Sequence, residues 1–124
     1  METNPNQELA NVRVLVVEDE PLIAMSLADQ LTKAGAVVVG PCSTIGRAVA
    51  ELSDKDIDVA IIDYVLADDN SQGLQAALDE RSVPFIVVTG YPRVLVRRDQ
   101  RQPVLSKPIS PETLTSTVRS LTRA

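Results

Sequence analysis

A chain of 124 residues is the size of one domain and can bury roughly two thirds of the surface that its unfolded form exposes. With 44% hydrophobic residues but one Phe, two Tyr and no Trp, its core must be built from Val, Ile, Leu and Ala. A net charge of −5 and a pI near 4.6 argue against a nucleic-acid surface, one cysteine excludes an internal disulfide and a Cys-rich metal site, and the absence of histidine removes the commonest metal ligand and general base.

The chain opens on "METNPNQELAN", which has neither a basic end nor an apolar segment and so is not a secretory signal. Residues 1–11 are expected to be a flexible tail, with one domain over 12–124. No stretch approaches the roughly 18 apolar residues of a membrane span, so a soluble cytoplasmic protein is expected.

The first apolar run is "VRVLVV" (12–17), followed by Ile23, Leu27, Leu31 and Ala34 at helical spacing, with Pro21 suited to a first helical turn and Gly35 to a stop. "AVVVG" (36–40) comes next, containing the approach to Cys42, a core filler, and then Ile45, Ala48, Val49 and Leu52 repeat helically. "DVAII" (58–62) precedes the weaker stripe of Leu74, Ala77 and Leu78. "PFIVV" (84–88) leads into a poorly periodic segment carrying Arg93, Arg97, Arg98 and Arg101, read as a solvated helix face or as a docking surface for an acidic partner. After "PVLS" (103–106), Ser110 can cap a last helix, with Pro111 in its first position and Leu114, Val118 and Leu121 as its stripe.

Strand starts near 12, 37, 58, 84 and 104 give five βα units. Strands apolar on both faces belong to a parallel sheet covered by helices on each side, so the fold class is α/β, doubly wound. Right-handed crossovers put all strand C-termini along one edge, where ligands bind at the reversal of strand order. No linker, second domain or output domain is expected within the chain.

At that edge should stand Glu18 and Asp19 after the first strand, Asp63 at the end of the third, Thr89 after the fourth and Lys107 after the fifth. Singly each has a plainer role: an acidic pair before a helix is commonly a cap, an Asp at a strand end is turn chemistry, and a Thr before Gly marks a turn. Together they describe a site. Carboxylates about 4 Å apart repel by roughly 4 kcal/mol per pair at an effective dielectric near 20, so positive charge must sit among them. Lys107 offers one charge, and hard carboxylate oxygens with room for water describe a Mg²⁺ site. A cation and a lysine facing a hydroxyl suit a phosphoryl group, with Asp63 as the nucleophile that becomes an aspartyl phosphate.

Over nearly the whole chain, from about Val12 to Leu121, these pieces resemble the receiver domain of two-component response regulators: "VLVVEDE", "AIIDYVL", "VVTGY" and "SKP". The resemblance implies a flavodoxin-like (βα)5 fold of strand order 2-1-3-4-5 and phosphorylation of Asp63 by a histidine kinase or a histidine phosphotransfer protein. It implies Mg²⁺, with Mn²⁺ as a substitute, on Asp19, Asp63, the backbone carbonyl of Val65 and, through water, Glu18. Lys107 would bond one phosphoryl oxygen and Thr89 another, changing the surface read by a downstream protein target. It implies neither enzymatic turnover nor a nucleic-acid or membrane partner.

The aromatic that most receivers place three positions before the lysine is here Val104. "PFIVVTGYP" instead resembles a subfamily with a PFxFATGY-type motif, for which Tyr91 is the candidate switch aromatic and kinases of the HWE type are the expected partners. Arg93, Arg97 and Arg101 join Tyr91 and Val104 as switch and docking candidates. Three rivals remain in view. A phosphatase of the haloacid-dehalogenase type would carry a second Asp two residues after the first, where this chain has Val65. A flavodoxin would want a glycine- and hydroxyl-rich phosphate loop where "EDEP" stands. The third is a receiver-fold interaction module that takes no phosphate.

Overall fold

The computed structural model describes residues 8–64, 72–90 and 102–122. Five strands form one parallel sheet in the order β2-β1-β3-β4-β5: β1 (Arg13–Val17), β2 (Val37–Cys42), β3 (Val59–Asp63), β4 (Phe85–Thr89) and β5 (Val104–Ser106). The helices among the described residues are α1 (Pro21–Lys33), α2 (Ile45–Asp54), α3 (Gln72–Glu80) and α4 (Pro111–Thr122). This is the doubly wound α/β arrangement that the apolar runs predict, and each strand begins within one residue of its expected start. The helix sought between β4 and β5 falls on 91–101, outside the described residues.

Period-two alternation distributes the aliphatic residues over two layers. Leu15, Val17, Ala60, Ile62, Phe85 and Val87 pack on one face of the sheet against Ala48 and Leu52 of α2 and Leu74 and Leu78 of α3. Val14, Val16, Val59, Ile61, Ile86 and Val88 pack on the other against Leu27 and Leu31 of α1 and Leu114 and Val118 of α4. Every residue of β3 and β4 is buried, as covered parallel strands require. Cys42 fills space in the first layer, where burial and the nearby Glu51 charge push its thiol pKa up. No helix among the described residues is long and apolar enough to cross a membrane.

The helix ends follow the expected chemistry. Pro21 opens α1, and Gly35, at φ +96°, closes it in a left-handed turn in which Gly35 N–H donates to Thr32 O and Ala36 N–H to Leu31 O. Thr44 caps α2 by accepting from Arg47 N–H at 3.1 Å, and Ser110 caps α4 by accepting from Thr113 N–H at 3.1 Å.

Of the expected tail, residues 8–11 are described, and they pack on the domain. Residues 8–11 form a turn, with Leu9 N–H donating to Ala34 O at 2.8 Å, and the Leu9 side chain is fully buried in the layer of α1 and α4. An apolar residue four positions before β1 finds the open end of that layer, and an ion pair from Glu8 to Arg119 of α4 flanks it. Truncating Leu9→Ala is expected to cost about 2 to 4 kcal/mol, the range for emptying a buried leucine site, measured as a lower urea midpoint. A midpoint equal to that of the native chain would return this segment to the status of a tail.

Candidate functional site

The register of the sheet builds the site before any side chain is considered. β1 pairs with β3 as far as Val17 against Ile62, so Glu18 and Asp63, one step further, emerge side by side. β3 pairs with β4 at Asp63 against Val88, and β4 with β5 at Thr89 against Ser106. Each later strand thus delivers its polar residue one step beyond the last, and Lys107 N–H closes the series by donating to Thr89 O at 2.8 Å. On the opposite flank, the pairing of β1 with β2 slips between Leu15 and Val17, and the extra β2 residue is absorbed around Gly40 at φ +96°. A Cβ there would lie 2.7 Å from Cys42 N, so glycine is what lets β2 bend back and Cys42 O accept Glu18 N–H at 2.9 Å. Strand order reverses between β1 and β3, where open α/β sheets hold ligands.

At that point lies a cleft of about 380 Å³ lined by Glu18, Asp19, Asp63, Thr89 and Lys107 together with Tyr64. Carboxylate oxygens of Glu18, Asp19 and Asp63 all fall within 4.8 Å of one another. Lys107 Nζ stands 3.3 Å from Glu18 Oε1 and 3.3 Å from Asp63 Oδ1, pairing with both. Glu18, Asp63 and Thr89 are buried, at 3%, 5% and 1% exposure, while Asp19 faces solvent. Burial disfavours the Glu18 carboxylate, and hydrogen bonding to Asp63 and its charge add to this, so that the Glu18 pKa rises to about 7 despite Lys107. For Lys107 burial acts downward, but the charges of Asp63 and Glu18 outweigh it and its pKa is raised. The ammonium is therefore held protonated between two acids.

All five strand-end residues named from the sequence thus converge, and the plainer capping role of the acidic pair is not what is seen. Glu20, not Glu18 or Asp19, is the N-cap of α1, and its side chain makes no cap hydrogen bond. Val104 is half-buried, pairs with Val87 and packs on the layer of α2 and α3. Val65, Tyr91, Arg93, Arg97, Arg98 and Arg101 lie outside the described residues. Sequence reasoning did not single out Glu20, Ile23, Tyr64 and Gly90, which also line the cleft. Each neighbours a residue it did name or sits one helical turn from it, and that adjacency was the available signal.

The donor set and the fold have close counterparts among known proteins. The model of the response regulator receiver domain matches residues 14–119. The chain belongs to the response regulator receiver family. A curated relative, the phyllosphere-induced regulator PhyR of Methylorubrum extorquens, is 31% identical over 110 residues, covering 85% of this chain and 41% of PhyR. The chain therefore spans less than half the length of that relative. The solution structure of SdrG from Sphingomonas melonis Fr1 is 36% identical with a TM-score of 0.76, covering 90% of this receiver and 96% of SdrG. SdrG has also been solved in a BeF3-activated conformation, which superposes on this receiver with a TM-score of 0.77 over 92% of this chain and 98% of that one. The anti-anti-sigma factor PhyR from Bartonella quintana is 28% identical with a TM-score of 0.77, over 90% of this receiver and 47% of that chain.

The raised Glu18 pKa has a measurable consequence for the metal-free receiver. Between the ordinary carboxylate value of 4.5 and about 7 the folded chain binds more protons than the unfolded one, so this group's contribution to stability falls as pH rises through that window. Urea midpoints in EDTA should accordingly decline more steeply from pH 5 to pH 7.5 in the native chain than in Glu18→Gln. Parallel profiles for the two proteins would contradict the assignment.

Proposed function

We propose that the cleft accepts a phosphoryl group onto Asp63 and that the resulting change of surface is read by a protein partner. The observation that carries this is the placement of Lys107 Nζ at equal 3.3 Å distances from Glu18 and Asp63, beside buried Thr89. Asp63, fixed by a strand buried along its whole length, supplies the attacking oxygen. Its new O–P bond forms as the N–P bond of a donor phosphohistidine breaks, and the imidazole leaves with the bonding electrons and takes up a proton. These 124 residues hold no histidine that could serve as donor, in keeping with phosphoryl supply by a histidine kinase, with the HWE type as the expected class, or by a histidine phosphotransfer protein. Lys107 would bond one phosphoryl oxygen and the Thr89 hydroxyl another, which ties β4 and β5 to the phosphorylated state.

The oxygen-only, acidic donor set fits a hard divalent cation, so Glu18, Asp19 and Asp63 are the residues that would hold Mg²⁺, with Mn²⁺ as a substitute. The carbonyl of Val65, which the family resemblance adds to the ligands, lies outside the described residues. Such an ion would supply neutralisation of the phosphoryl oxygens. Val65 stands where a phosphatase would carry its second Asp, so hydrolysis of the aspartyl phosphate is slow and the protein works as a signal carrier in the cytoplasm rather than as an enzyme. Tyr91, Arg93, Arg97 and Arg101 are the residues we would test first for partner contact. The similarity to a PhyR that is an anti-anti-sigma factor supports a protein as the downstream target.

Incubation with acetyl phosphate and Mg²⁺ should add one phosphoryl mass to the intact chain. Asp63→Asn and omission of the cation should each abolish the gain, and Lys107→Ala should leave it strongly reduced. A native protein that gains no mass would point to an interaction module, and sustained turnover of a generic phosphate ester would point to a phosphatase.

A further inference from the structure

Two apolar side chains connect the charged cleft with the packed layers. Of the residues lining the cleft, Tyr64 is the one that also packs on the layer of α2 and α3, and Ile23 is the one that also packs on the layer of α1 and α4. Tyr64 directly follows Asp63, is half-buried, and shares its layer with Leu74 of α3, Val87 of β4 and Val104 of β5. Val104 pairs with Val87, two residues before Thr89 on β4. Among the described residues Tyr64 is the aromatic side chain at the cleft.

We propose that Tyr64 is a positioning residue that carries the state of Asp63 into the layer formed by α2, α3, β4 and β5. This rests on the reading of Asp63 as the phosphoacceptor. A phosphoryl group brings close to two negative charges and three acceptor oxygens into a cleft that Tyr64 borders. The interior on the other side of the ring is close-packed aliphatic, which transmits a displacement rather than absorbing it. A ring with two soft torsions that borders the cleft and packs on the layer moves as a body, and the layer that includes Val87 and Val104 repacks with it. Val104 is too short to reach the cleft, which it does not line, so the larger side chain that does reach it is the connection.

The test uses beryllofluoride with Mg²⁺ as the phosphoryl mimic and ¹³C-methyl resonances as the readout. In the native chain, saturation should shift the methyls of Leu74, Val87 and Val104. Tyr64→Phe should bind the mimic equally and keep those shifts, because the ring is retained. Tyr64→Ala should bind it while the ligand-induced shifts of Val87 and Val104 are lost, and methyls of Leu31 and Val118 in the opposite layer should behave as in the native chain. Should Tyr64→Ala not fold, Tyr64→Leu keeps the apolar volume without the ring and carries the same expectation. Undiminished shifts in a bound variant lacking the ring overturn the proposal. So does loss of binding in Tyr64→Phe, which would make the hydroxyl part of the phosphoryl site. A native chain that does not bind the mimic would instead overturn the reading of Asp63.

Discussion

Everything at the cleft depends on how three carboxylates are kept within 4.8 Å of one another with a single ammonium between two of them. Fully ionised, the group would carry three negative charges against one positive, a deficit of two in a place where Glu18 and Asp63 have almost no water. A proton on Glu18, whose pKa has risen to about 7, halves that deficit, and a divalent cation among the oxygens would cancel it. The two compete for the same negative charge, so protonation of Glu18 and cation binding oppose each other.

The rest of the fold makes that crowding tolerable. Repulsion between like charges a few ångströms apart amounts to several kcal/mol, comparable with the whole stability of a small domain. The carboxylates cannot drift apart because β3 is buried on both faces at every position and β1 is locked to β2 and β3 on either side. Asp63 is short and has two torsions, so a rigid strand fixes its oxygens closely. Lys107 has a long flexible stem, yet it too is constrained, since its backbone N–H is bonded to Thr89 O.

The strands and four of the helices were legible because period-two and period-3.6 patterns survive in an aliphatic sequence, and because Pro21, Gly35 and Ser110 sit where helix ends need them. The convergence of Glu18, Asp19, Asp63, Thr89 and Lys107 was legible from topology alone, since parallel strands share one C-terminal edge. Other properties depend on register and not on pattern. Nothing in "VVEDE" says that Glu18 is sealed in while Asp19 stays wet; that follows from the β2 slip at Gly40, which brings Cys42 O onto Glu18 N–H. Leu9 reads as tail because one apolar residue amid polar ones has no period, yet the open end of a layer needs only one side chain to close it.

The aliphatic composition also shapes how the site can communicate. A core of Val, Ile and Leu between parallel strands has few side chains large enough to touch both a surface cleft and the interior, and β-branched residues are stiff at their first torsion. In such a core a signal cannot spread evenly from Asp63; it must leave through the few residues that bridge the two environments. Topology fixes where these can be, because the residue following a strand end and the first turn of the helix after it meet both the cleft and a covering layer. Tyr64 at the end of β3 and Ile23 in the first turn of α1 occupy such positions on opposite faces of the sheet. The two faces therefore receive different bridging side chains, one aromatic and one aliphatic. That asymmetry lets one charge change at Asp63 act unequally on the two layers.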